Sequence, residues 1–138
     1  MKSNILLIED NEGDVELIRE ALSCHSAALE ISVIDNGEDA IFSLKSEQKI
    51  LPDLILLDIN LPKVDGKEVL HFVKNNAELK KIPVIILTSS SLQKDIDYCY
   101  NNHANCYIVK PIHLEGFMNT IELIEKFWLR CATYLQTN

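Results

Sequence analysis

Two stretches decide the fold: Ile5-Leu6-Leu7-Ile8-Glu9-Asp10 and Leu54-Ile55-Leu56-Leu57-Asp58. Each is a short apolar run that ends directly in acid. A run of this length, apolar at every position, matches a strand buried on both faces in the middle of a parallel sheet. Acids that follow such strands collect at the carboxyl edge of the sheet, where open α/β folds place their ligands.

Working outward, residues 31–34, 84–87 and 106–109 are apolar runs of the same kind. Between the runs lie stretches of helical period. Val15, Ile18, Ala21 and Leu22 recur at helical spacing, and Asn11 with Asp14 three residues on reads as an N-cap with an acidic third position. Gly37-Glu38-Asp39-Ala40 opens a second helix, Gly66 a third and His113-Leu114-Glu115 a fifth. The fourth, over residues 93–102, is weakly amphipathic and is expected to be marginally stable and mobile. Repeated βα units imply right-handed crossovers and a parallel sheet with helices on both sides. The expected architecture is a flavodoxin-like, doubly wound α/β fold: five parallel strands in the order 2-1-3-4-5, with five helices. In that order strands 1 and 3 are neighbours at the switch point, so Glu9, Asp10 and Asp58 converge.

Composition narrows the function. The 138 residues, 47% of them hydrophobic, suit one domain with one core. A net charge of −8, from 21 acidic against 13 basic residues, argues against a grip on phosphate backbones, so no nucleic acid contact is expected. Cys24, Cys99, Cys106 and Cys131 lack metal-ligand spacing and read as reduced, partly buried apolar residues. His25, His71, His103 and His113 are scattered and offer no relay. Met1-Lys2-Ser3-Asn4 leads into an apolar run too short for a signal peptide or a membrane span, which points to a cytoplasmic chain without membrane contact.

Three converging carboxylates, with water and a backbone carbonyl, offer the oxygen ligands that Mg2+ prefers; Mn2+ can substitute. Crowded without a cation, at least one of them should have a raised pKa. Lys110 brings a cation to the same edge and Thr88 a hydroxyl. Together they suit the oxygens of a transferring phosphoryl group, with Asp58 as the nucleophile that forms an acyl phosphate. Taken singly, each has a plainer reading: solvated loop acids, an exposed strand-end lysine, and a helix N-cap for Thr88. No plain reading covers the set.

Ile8-Glu9-Asp10, then Leu57-Asp58-Ile59-Asn60-Leu61-Pro62 with Asp65-Gly66, then Leu87-Thr88-Ser89, then Lys110-Pro111 occur in the order that marks the receiver domain of bacterial two-component response regulators, the chemotaxis-regulator-like type. The chain resembles that family over essentially its whole length, 1–138, as a single receiver domain with a short tail after about residue 130. The resemblance implies a signalling switch rather than a turnover enzyme, with phosphoryl transfer and autodephosphorylation as its only chemistry. Asp58 would accept the group from a phosphohistidine of a sensor histidine kinase. Glu9, Asp10, Asp58 and the backbone carbonyl of Asn60 would hold the metal. The Lys110–Pro111 peptide would be cis. Thr88 and Tyr107 would form the switch, read out on the face of helix 4, strand 5 and helix 5. Ser90 occupies a position that in receivers influences how long the phosphate lasts.

The last helix carries one apolar stripe of Phe117, Ile121, Ile124 and Trp128, and begins a second with Leu123, Phe127 and Tyr134. Phe127-Trp128-Leu129 and the pattern from Glu9-Asp10-Asn11 to Asp14 are similar to single-domain regulators served by phytochrome-type kinases, several of which pair through this face. A homodimer using the fourth strand-helix unit and the last helix, with Leu123, Phe127, Trp128 and Tyr134 as interface candidates, is one expectation; packing of the second stripe beneath the chain's own tail is the other. Two rival functions remain. An aspartate-nucleophile phosphatase would want an acid where Asn60 stands, and a scaffolding pseudo-receiver would not need Asp58, Thr88 and Lys110 together.

Overall fold

The computed structural model describes residues 3–23, 29–46 and 50–132. Five strands, β1 (Ser3–Ile8), β2 (Leu29–Ile34), β3 (Leu54–Leu57), β4 (Val84–Thr88) and β5 (Cys106–Val109), form one sheet in the order β2-β1-β3-β4-β5. Every neighbouring pair is parallel. The order is the one the alternating pattern predicts. Burial follows strand position: β3 and β4 are buried throughout, whereas the edge strands β2 and β5 are part exposed. An edge strand needs fewer apolar residues, and Glu30 and Ser32 occupy the exposed positions of β2.

Alternating side chains of the sheet supply two cores. Leu6, Ile8, Ile55, Leu57 and Ile86 face α2 (Gly37–Lys45), α3 (Gly66–Lys74) and α4 (Gln93–Asn101). Ile5, Leu7, Leu54, Leu56, Ile85 and Leu87 face α1 (Glu12–Ser23) and α5 (Leu114–Ile124). Each fully buried Leu or Ile stabilises the fold by roughly 1.5–3 kcal/mol. That burial fixes the register, because a one-residue slip would exchange the side chains that face the two helix layers and undo the packing on both.

Capping places the helix starts. The side chain of Asn11 accepts from the Asp14 backbone N–H at 2.9 Å, that of Asn36 from Asp39 at 2.8 Å and that of Asp65 from Lys67 at 2.8 Å. Gly66 starts α3 directly against the site: a Cβ there would run into the backbone of Asp58 and Ile59. Helix α4 has no side-chain cap and is held instead by buried Asp95 and Cys99. Thr88 ends β4 and Ser89 to Leu92 separate it from α4, so it caps no helix.

Three details differ from the expectations. The Lys110–Pro111 peptide is trans; no cis bond occurs among the described residues. Prolyl bonds keep a trans preference of about 0.5–1 kcal/mol, and Lys110 reaches the acids across the edge with the trans bond, so nothing here favours the rarer isomer. Helix α5 continues as a π-helical turn, Glu125–Cys131, in which buried Glu125 accepts from Arg130 five residues on, a spacing suited to the wider turn. Trp128 packs against the core beside Phe127, whose ring meets it edge-on at 5.2 Å, so only part of its surface is left for an outward contact. Leu123 and Phe127 do face outward, 65% and 56% exposed, while Tyr134 lies outside the described residues. Among the described residues Cys99, Cys106 and Cys131 are free; Cys99 is buried and Cys131 exposed.

Candidate functional site

Parallel pairing of β1 with β3 sets Ile8 opposite Leu57, and the Asp58 N–H donates to the Ile8 carbonyl at 3.0 Å. The next residues of the two strands are therefore forced together. Glu9 and Asp58 are 2% and 6% exposed, and Asp10 is exposed. One carboxylate oxygen from each of Glu9, Asp10 and Asp58 lies within 4.8 Å of the others. A hard divalent cation fits this all-oxygen, partly buried set. Asp58 is oriented by the Asn60 backbone N–H, which donates to its Oδ1 at 3.0 Å.

β5 brings Lys110 across the edge, its backbone N–H donating to the Thr88 carbonyl at 2.7 Å. The Lys110 ammonium donates to Glu9 at 2.6 Å, Asp14 at 2.8 Å and Asp58 at 3.1 Å. Burial alone would lower the Lys110 pKa, but the hydrogen bonds of Asp14 and Glu9 and the charges of Asp58 and Glu9 outweigh it and raise it. Glu9 is pushed up to about 7, first by burial and then by the Asp58 charge, against the pull of Lys110.

This carries a pH prediction. A carboxyl whose folded pKa is raised from 4.5 to about 7 adds stability that is fully present below the lower value and lost as pH rises through the upper. In metal-free buffer, Glu9 therefore makes the melting temperature fall between about pH 5 and 7, and Glu9→Gln removes that slope. Thermal melts with chelator across this range check it; an identical slope in Glu9→Gln would refute it.

A second set of contacts leads away from the acids. Thr88 is fully buried, and its Oγ1 accepts weakly from the Asn60 side chain and the Ser90 N–H, each at 3.4 Å. The Tyr107 hydroxyl donates to the Ser90 carbonyl at 2.9 Å. The Ser90 hydroxyl donates to Asp95 at 2.5 Å, and Asp95 pairs with Lys67 of α3. The Lys67 and Ser90 contacts hold the Asp95 carboxyl below the usual range. Ser90 thus touches Thr88, Tyr107 and the start of α4 at once.

Residues 5–122 match the response regulator receiver domain family. The chain is a response regulator receiver domain. This receiver is 40% identical over 133 residues to the response regulator Rcp1 of Synechocystis sp. (strain ATCC 27184 / PCC 6803 / Kazusa), covering 94% of this chain and 90% of the relative. It superposes on the phosphorylated cyanobacterial phytochrome response regulator RcpA with a TM-score of 0.93 at 40% identity, covering 99% of this chain and all of that one. It superposes on the Mn2+-bound form of Rcp1 with a TM-score of 0.90 at 38% identity, covering 97% and 99% of the two chains.

Of the residues singled out in the sequence, Glu9, Asp10, Asp58, Asn60, Thr88 and Lys110 meet at one edge of the receiver, and Tyr107 joins them through Ser90. In the sequence Asp14 belongs to a helix start and to the Glu9-to-Asp14 pattern; in the structure it also binds the site lysine. Its position in the first turn of α1, beneath the Glu9-Asp10 strand end, was the available signal. The Ser90–Asp95–Lys67 chain had none, because pairing of α3 with α4 is set by tertiary packing.

Proposed function

We propose that this receiver is a phosphorylatable switch acting in the cytoplasm beside a sensor histidine kinase of the phytochrome type. The observation that carries the chemistry is the approach of the Lys110 ammonium to Asp58, 3.1 Å apart, beside the clustered oxygens of Glu9 and Asp10. An Asp58 oxygen attacks the phosphorus of a phosphohistidine, the P–N bond breaks, and the imidazole leaves with its electron pair and regains a proton; the product is an acyl phosphate. Lys110 stabilises the charge on the phosphoryl oxygens and Asn60 holds Asp58 in line. Bound by Glu9, Asp10, Asp58 and the Asn60 carbonyl, Mg2+ or Mn2+ would neutralise the crowded carboxylates. Hydrolysis of the acyl phosphate by water resets the switch.

A phosphoryl group adds about −1.5 to −2 charges and new acceptor oxygens. A unit charge pair at ~4 Å is worth about 4 kcal/mol at an effective dielectric near 20, enough to reset a two-state element. The Thr88 hydroxyl, weakly held, is free to turn toward the new oxygens. Ser90 and Tyr107 move with it and change the face of α4, β5 and α5. Incubation with acetyl phosphate and Mg2+, read by intact mass, tests the reading: one phosphoryl adduct supports it, and none favours the scaffolding alternative. Turnover of a phosphate ester beyond one equivalent would favour a phosphatase.

The same face is proposed as a homodimer surface, on the exposed Leu123 and Phe127 of the last helix and the exposed Leu92, Tyr100 and Ile112. Analytical ultracentrifugation with beryllofluoride should show dimers that Phe127→Glu dissolves. Monomer alone at high concentration, with and without beryllofluoride, would end that proposal.

A further inference from the structure

Lys110 has three ammonium donors, and all three are used: on Glu9, on Asp14 and on Asp58. Glu9 and Asp58 belong to the acid cluster, so a cation and a phosphoryl group compete for their oxygens. Asp14 does not belong to it. Its backbone is fixed in the first turn of α1, where its N–H donates to Asn11. Its side chain is 24% exposed against 8% for Lys110, so its charge costs less in desolvation than that of the buried acids.

We propose that Asp14 is a positioning residue for the phosphoryl-transfer step: it anchors the Lys110 ammonium beside Asp58 through the whole cycle, because it is the one lysine partner that neither cation nor phosphoryl group claims. The inference rests on Asp58 being the phosphoacceptor. Lys110 must keep one fixed partner while the other two change, since an unanchored four-carbon side chain samples many rotamers and loses the alignment on which transfer depends. Asp14 supplies that partner from a helix that packs on the opposite side of β1 from α2 and α3.

Two measurements test it on wild type, Asp14→Ala and Asp14→Asn. The first needs no phosphoryl donor: the 1H–15N signal of the Lys110 ammonium, slowed in exchange by burial and hydrogen bonding, should persist in wild type and Asp14→Asn and vanish by exchange in Asp14→Ala. The second is the acetyl phosphate rate at saturating donor, beside Mg2+ affinity by calorimetry. In Asp14→Ala the rate should fall about tenfold, the scale of one lost charge-assisted hydrogen bond. Mg2+ affinity should stay within about twofold, because Asp14 lies outside the acid cluster. Asn retains an acceptor oxygen, so its rate should recover to within about threefold. A full rate in Asp14→Ala, or a rate loss matched by an equal loss of Mg2+ affinity, overturns the proposal. Wild type that takes up no phosphoryl group overturns the phosphoacceptor reading itself, whatever the lysine signal shows.

Discussion

Asp58→Ala should gain no mass with acetyl phosphate and Mg2+, whereas the wild type gains one phosphoryl group. Asp58 is the acid whose Oδ1 is held by the Asn60 N–H while its Oδ2 faces the Lys110 ammonium at 3.1 Å. Glu9 is more buried, and its oxygens are engaged by Lys110 and by the Asn11 N–H. Asp10 is exposed, and no site donor orients it toward Lys110. An adduct of undiminished yield in Asp58→Ala would move the nucleophile to one of those neighbours. Asp58→Asn sharpens the result, because it keeps the shape and one acceptor oxygen, enough for either the Asn60 N–H or the Lys110 ammonium, while removing a charge from beside Glu9. It should therefore be phosphorylation-dead yet more stable than wild type in chelator, with Glu9 titrating closer to its ordinary value, since the Asp58 charge is among the causes that raise it. Phosphorylation loss and gain of stability in one variant separate a dead site from an unfolded one.

The sheet was legible because its middle strands are buried on both faces and therefore written as unbroken apolar runs. Residues 54–57 and 106–109 match β3 and β5 to the residue, and acids at the ends of β1 and β3 announce the edge where they meet. The three helix starts with Asx caps, at Asn11, Asn36 and Asp65, follow local chemistry that lies within a few residues. What stayed hidden depends on contacts distant in sequence. Asp14 lies 96 residues from Lys110, and only its place in the first turn after the Glu9-Asp10 strand end points toward the site. Trp128 shares its helical stripe with Phe117 and Ile121, in line with its packing on the core, and the π-helical turn that carries it is accompanied by the local Glu125–Arg130 ion pair. The isomer of a prolyl bond is decided by a difference of less than about 1 kcal/mol, below what a motif alone resolves.

Lys110→Met should lose about 3–5 kcal/mol in metal-free buffer near pH 8, the scale on which a buried ion pair fails when one partner is removed. Methionine fills much of the same space, so the loss reports charge rather than a cavity. Two acids at the edge, Glu9 and Asp58, are almost fully buried, and Lys110 is the cation in contact with both. Without it, the lowering influence of Lys110 on Glu9 disappears and the remaining causes, burial and the Asp58 charge, drive its pKa further up. Protonation of Glu9 then relieves the crowding, so the deficit should be smaller at pH 5 than at pH 8. Mg2+ titrated at pH 8 should recover more stability in the variant than in wild type, because a ligand that binds only the folded state stabilises it by mass action and here also replaces the missing positive charge. Urea unfolding at both pH values, with chelator and with Mg2+, measures all of these. A variant as stable as wild type in chelator at pH 8 would mean that water, not Lys110, neutralises the empty acid cluster, and Lys110 would then act only once a phosphoryl group is present.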